Sequence, residues 1–172
     1  MKPSGAVAQP GARYAAAQIV LHWIVVLLVV EQYATSSAIL RTHSYSTLGH
    51  RPAALDLTLH AIHTRVGLLL FGLVSLRVLL RAVIGAPHWA TRLPLWRQRL
   101  STGVHYGLYA VLFGEAATGA IASYLWWPIS VAHRALFWAL AILVTLHLIG
   151  AVISFAAHPR ETLFRITGLR LK

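Results

Sequence analysis

The chain contains no cysteine, which excludes disulfides, thiolate zinc sites, cysteine-ligated iron–sulfur clusters and the C-x-x-C-H motif of covalent cofactor attachment. Acids are nearly as scarce: Asp and Glu together number 4 in 172 residues, against 10 histidines. Any cofactor must therefore be held by nitrogen or oxygen, and imidazole is the first candidate. No H-E-x-x-H string occurs, and the apolar segments hold no Glu-x-x-His pair, which removes zinc hydrolases of that class and di-iron carboxylate bundles. No period-two alternation marked by regular turns suggests a β-barrel, and no internal repeat or low-complexity segment is evident.

What is present is apolar residue, 58% of the chain, with a mean hydropathy of +0.66. This is far from a soluble globular composition. The formal charge of +11 does not describe a nucleic-acid footprint, because Lys and Arg fall between apolar runs rather than over a polar surface. Four stretches, about 17–40, 61–84, 103–126 and 131–157, each approach the roughly 20 residues that a membrane span needs. Backbone groups in lipid must be satisfied within helices or a closed barrel, so the expected fold is an all-α transmembrane four-helix bundle forming a single domain over 1–172.

The connections suggest an orientation. Lys2 and Arg13 precede the first span, Arg81, Arg92, Arg97 and Arg99 border the second connection, and Arg160, Arg165, Arg170 and Lys172 follow the fourth span; only Arg41, Arg51, Arg65 and Arg134 lie toward the other side. Cations gather on the cytoplasmic side of short loops, so both termini of this multi-pass chain are expected in the cytoplasm. The arm from Met1 to Ala16 has the layout of a signal anchor. Cleavage near Ala34 to Ala38 is not expected, because it would remove His22 and cut a run approaching full span length. Pro87 and Pro94 break the second connection, Trp89 and Trp96 suit interfacial anchors, and the third connection around Trp126, Trp127 and Pro128 is very short.

Histidines inside a membrane are costly and usually face the bundle interior with a partner. His133 and His147 stand 14 residues apart with no proline between them. Four helical turns take about 14.4 residues, so both rings leave one face, roughly 21 Å apart along the axis. By depth, His22 in the first span pairs with His147 on the cytoplasmic side, and His63 in the second pairs with His133 on the outer side. Two bis-histidine sites without carboxylate ligands suit two haem b groups, whose irons take an axial imidazole on each face. The bland alternative for the four rings is hydrogen bonding between helices.

With these residues in place, the chain resembles the bacterial cytochrome b561 family of di-haem membrane proteins, related to the cytochrome b subunits of formate dehydrogenases and hydrogenases. The marks are QIVLHW at 18–23, HTRVG at 63–67, LRVLLR at 76–81, HYGLY at 105–109 with Gly119 beyond, and the pair His133 and His147. The resemblance implies that the first and fourth helices hold the cytoplasmic haem and the second and fourth the outer one. It also implies quinone as a redox partner and, in some members, superoxide as donor. The chain departs from the family pattern at Ala15, Ala16 and Ala17, where an Arg is usual, and at Ser154 and Phe155, where further histidines are usual.

Other candidates carry two readings each. Gly67, one turn after His63, favours His63 over His60 as ligand, because glycine lets a porphyrin approach the backbone. Arg77 suits a propionate of the inner haem or a lipid headgroup, and Arg65 and Arg134 invite the same question at the outer haem. His105 suits a propionate, a quinone or the headgroup layer. His43, His50, His88 and His158 are expected in solvated connections or the tail. Glu115, roughly mid-membrane, suits a proton relay to reduced quinone or a bond to a neighbouring helix, and Glu31 lies toward the outer surface.

The resulting expectation is electron transfer across the inner membrane between an outer-surface reactant and quinone, including superoxide:quinone oxidoreductase activity. The alternative is a non-enzymatic electron-transfer subunit that docks a redox protein. A third reading is a haem-free bundle using Glu31, Glu115 and histidines as a proton path.

Overall fold

The computed structural model describes residues 15–85 and 94–157, together with 159, 162 and 167. The N-terminal arm with Lys2 and Arg13, the connection residues Pro87, His88, Trp89 and Arg92, and His158, Arg160, Arg165, Arg170 and Lys172 lie outside the described residues. The chain forms four long helices: α1 (Ala16–Thr47), α2 (Ala54–Ile84), α3 (Leu95–Tyr124) and α4 (Ser130–Ala157). A single 3-10 turn, Trp127–Ile129, precedes α4. The protein is thus an all-α four-helix bundle.

The helices begin and stop where the backbone requires it. Pro94 stands just ahead of α3 with φ −56°, the value its ring imposes, and its missing N–H costs nothing at a helix start. Gly85 closes α2 at φ +82° and its N–H returns to the Arg81 carbonyl; a side chain at that angle would be strained, so glycine is required there. Inside the helices, Thr64, Ser75, Thr145 and Ser154 each donate a hydroxyl to the carbonyl four residues back. Each of these hydroxyls is thereby satisfied within its own helix, as a lipid-facing or buried polar group requires.

Each helix packs antiparallel on the next. The α3–α4 seam is built on glycine: a Cβ at Gly107 would meet Leu143, one at Gly114 would meet Leu136, and one at Gly119 would meet the His133 ring at 3.0 Å. A step of seven residues up α3 is matched by seven down α4. Small residues of this kind let membrane helices approach closely. On the other side, Val25, Leu70 and Val74 form the buried centre, with Leu28, Val29, Leu73, Tyr109, Leu112 and Phe113 against it. α4 has no buried residue, and Trp138, Ile142, Ile149 and Val152 are exposed along it. α1 and α4 approach through rings, with Tyr33 stacked on Phe137 at 5.7 Å.

Among the described residues, α1, α2 and the segment Trp127–Ala157 are long and apolar enough to cross a membrane. α3 is as long, at 30 residues, but its glycines, His105 and Glu115 dilute the apolar content. Two helix bounds depart from the sequence expectation. α1 runs on to Thr47 rather than 40, and α2 starts at Ala54 rather than 61. Hydropathy marks only the lipid-facing stretch, whereas the helices continue past it as a polar hairpin. There Arg41 makes an ion pair with Asp56 at 2.7 Å, so Arg41 belongs to α1 and not to a free connection. Asp56 also sits in the first turn of α2, where a carboxylate suits the helix dipole.

Candidate functional site

Two clusters of imidazole occupy the two ends of the bundle. At the terminal end, where α1 begins and α4 finishes, His22 and His147 face each other with ring centres 6.2 Å apart and planes inclined at 72°. His105 from α3 joins them at 5.0 Å from His147. Its Nδ1 lies 2.6 Å from the Ser101 carbonyl, an obligate acceptor, so Nδ1 carries the hydrogen. Arg77 lies within electrostatic range of all three rings, and its guanidinium donates to the Gln18 carbonyl at 3.2 Å. Gln18 is buried and its side-chain amide donates to the Gly85 carbonyl, tying α1 to the end of α2. Sequence reading passed over Gln18, although a lone amide entering an apolar run is the kind of signal that would have found it.

At the hairpin end, where α1 joins α2 and α3 joins α4, His63 and His133 lie within electrostatic range of each other. His63 Nδ1 is 2.9 Å from Thr35 Oγ1. The Thr35 hydroxyl hydrogen is committed to the Glu31 carbonyl at 3.0 Å, so Thr35 accepts and His63 donates. The same logic recurs on the other hairpin. His133 Nδ1 is 3.1 Å from Thr118 Oγ1, whose hydroxyl donates to the Gly114 carbonyl at 2.7 Å, and Glu115 Oε2 lies 2.6 Å from the same nitrogen. With the hydroxyls assigned to these carbonyls, both histidines carry hydrogen on Nδ1 and keep a lone pair on Nε2.

The remaining sequence candidates fall around these clusters. Gly67 faces the Gln32 amide, 3.3 Å from where a Cβ would stand, and Gln32 donates to the His63 carbonyl and to Glu31. Glu31 Oε1 is buried without a hydrogen-bond partner, as is Glu115 Oε1. His43 lies within α1, not in a solvated connection, with its ring stacked on Trp127 at 3.6 Å and 5.3 Å from His60. His60 and Arg65 line a shallow groove of about 320 Å³ at the hairpin end, with Thr64, Ser123 and Tyr124. Thr35, Thr118 and Gln32 were missed by sequence reading, because hydroxyls and amides are common in helices and their partners lie on other elements.

The model of the prokaryotic cytochrome b561 family matches residues 13–168, nearly the whole chain. The chain belongs to that family. No curated protein and no solved structure matches it. Family, fold and apolar helices together are consistent with a membrane electron-transfer cytochrome, and the family name implies haem.

The residues fit that group. An iron held by two imidazole nitrogens at about 2 Å each, a usual metal–histidine distance, places the ring centres about 6 Å apart, and His22 and His147 are separated by 6.2 Å. Among the described residues there is no group of three or more His, Cys, Asp or Glu placed to hold a metal ion directly. A haem asks the protein for two ligands, and His22 and His147 at the terminal end have the spacing to supply them.

Proposed function

We propose that this protein is a four-span di-haem b cytochrome that moves electrons across the bacterial inner membrane between a reactant at the hairpin end and quinone, with both termini in the cytoplasm. The spacing of His22 and His147 carries the proposal. In this reading His22 and His147 hold one haem and His63 and His133 the other. Each haem, when bound, supplies a reversible one-electron iron couple whose potential the protein adjusts through ligation, hydrogen bonding and burial.

The chain's own residues do the rest. Thr35, Thr118 and Glu115 hold the hairpin-end imidazoles in the tautomer that presents Nε2. Arg77, beside the terminal-end rings, supplies positive charge for a propionate, and His105 adds a neighbouring donor or acceptor for a propionate or a quinone headgroup. Gly67 keeps the α1–α2 seam close enough for Gln32 to reach the His63 carbonyl. At the hairpin end the groove containing Arg65 and His60 gives an anionic donor such as superoxide a positively charged approach. Arg41 does not serve there, because Asp56 already engages it.

The deciding experiment is a reduced-minus-oxidised spectrum with a haem assay on protein produced with ample haem supply. Two b-type haems per chain are expected, and a chain without a b-type band overturns the proposal. Quinone reduction by superoxide with the purified protein alone identifies an oxidoreductase. Reduction only in the presence of a soluble redox protein identifies an electron-transfer subunit.

A further inference from the structure

The four histidines differ in what stands behind them. No hydrogen bond among the described residues supports the ring of His22 or His147. His63 is supported by the Thr35 hydroxyl. His133 alone has a carboxylate on Nδ1, Glu115 Oε2 at 2.6 Å, with Thr118 Oγ1 as second acceptor at 3.1 Å. The Glu115 side chain is 13% exposed, so water screens the contact little. Gly119 completes the arrangement, since a Cβ there would stand 3.0 Å from His133 Cε1 and displace the ring from both acceptors.

A carboxylate accepting the Nδ1–H of an imidazole fixes the ring's orientation and raises the basicity of its other nitrogen. A more basic axial ligand favours ferric over ferrous iron, because the higher charge gains more from added electron density. We infer that Glu115 is the positioning residue for His133, presenting Nε2 as the axial ligand and lowering the potential of the hairpin-end haem, while the terminal-end haem has no such partner. The inference rests on the di-haem reading above. Glu31 near His63 and Arg77 near His147 also distinguish the two ends, but of these charged groups only Glu115 contacts a ring nitrogen of one of the four histidines directly.

Glu115→Gln tests this, since it keeps size and a carbonyl acceptor but removes the charge. Redox titration of the purified holoprotein, followed optically and by the low-spin ferric resonance signals, reads both haems, with each assigned from His63→Ala and His147→Ala variants. The hairpin-end midpoint should rise by a tenfold change in its one-electron equilibrium, about 59 mV, while the terminal-end midpoint stays. Two bound haems with both midpoints unchanged, or both displaced equally, overturn the inference and leave the di-haem reading intact. A wild-type protein without haem overturns the reading itself. If Glu115→Gln does not accumulate as holoprotein, Glu115→Asp decides: its shorter carboxylate should move the same midpoint in the same direction by less, and an unmoved midpoint overturns the inference.

Discussion

At the terminal end, His22, His105 and His147 meet ring to ring, with Arg77 as the nearby charge and, among the described residues, a single ring hydrogen bond, from His105 to the Ser101 carbonyl. At the hairpin end, His63 and His133 are each gripped at Nδ1 by a threonine of the neighbouring helix, and one of them by a carboxylate as well. One end relies on convergence, the other on oriented hydrogen bonds. On the di-haem reading, the difference teaches that two sites with the same ligand type can be built for different potentials within one bundle, because hydrogen bonding behind an imidazole tunes what the imidazole gives to a metal.

Variants that sharpen this comparison fall in a clear order of size. The largest effect is expected from ligand removal: His22→Ala should lose the terminal-end haem and keep the other, whereas His63→Ala should do the reverse, read as haem content and band position. Equal loss of both haems from a folded protein would contradict two separate sites. Next come the orienting hydroxyls. Thr35→Val and Thr118→Val should each weaken haem retention at the hairpin end by about 10-fold or more, measured by haem transfer to an acceptor protein, with the terminal end unaffected.

Smaller effects separate the glycines. Gly119→Ala presses on the His133 ring and should destabilise the protein by about 1–3 kcal/mol, the usual range for overpacking, with disturbance of the hairpin-end haem spectrum. Gly107→Ala meets only the branched tip of Leu143 at 3.3 Å. It should cost less and leave both spectra unchanged, as thermal unfolding in detergent will show. The smallest change is expected from Asp56→Asn, which removes the partner of Arg41 and a favourable charge from the first turn of α2. Its melting temperature should fall by about 1–3 °C without moving either haem.

Much of the axial arrangement was legible in the sequence. Apolar runs located four helices, and counting along them put His22 level with His147, which the fold brings to 6.2 Å. The short third connection is also as read, a single turn from Trp127 to Ile129 before α4. What counting could not give is rotation about each helix axis. Glu115 had a depth but no facing partner until α3 was turned against α4 by its glycines, and the same is true of His105, which turns inward to His147. The extensions of α1 and α2 were hidden for another reason. Arg41 and His43 read as loop residues, and Asp56 lay outside the expected spans, yet a polar helix beyond the lipid needs no apolar pattern once its partner helix satisfies it. The Arg41–Asp56 pair and the His43–Trp127 stack hold that part of the bundle.

The bundle has three tightly packed seams and a fourth, between α1 and α4, where aromatic and imidazole rings make the approach. A ring of helices with one such loosely zipped side behaves like a bound book opened along its fore-edge. Parting that side would leave the spine, α2 against α3, closed, so the interior between the helices can be reached without unthreading any of them.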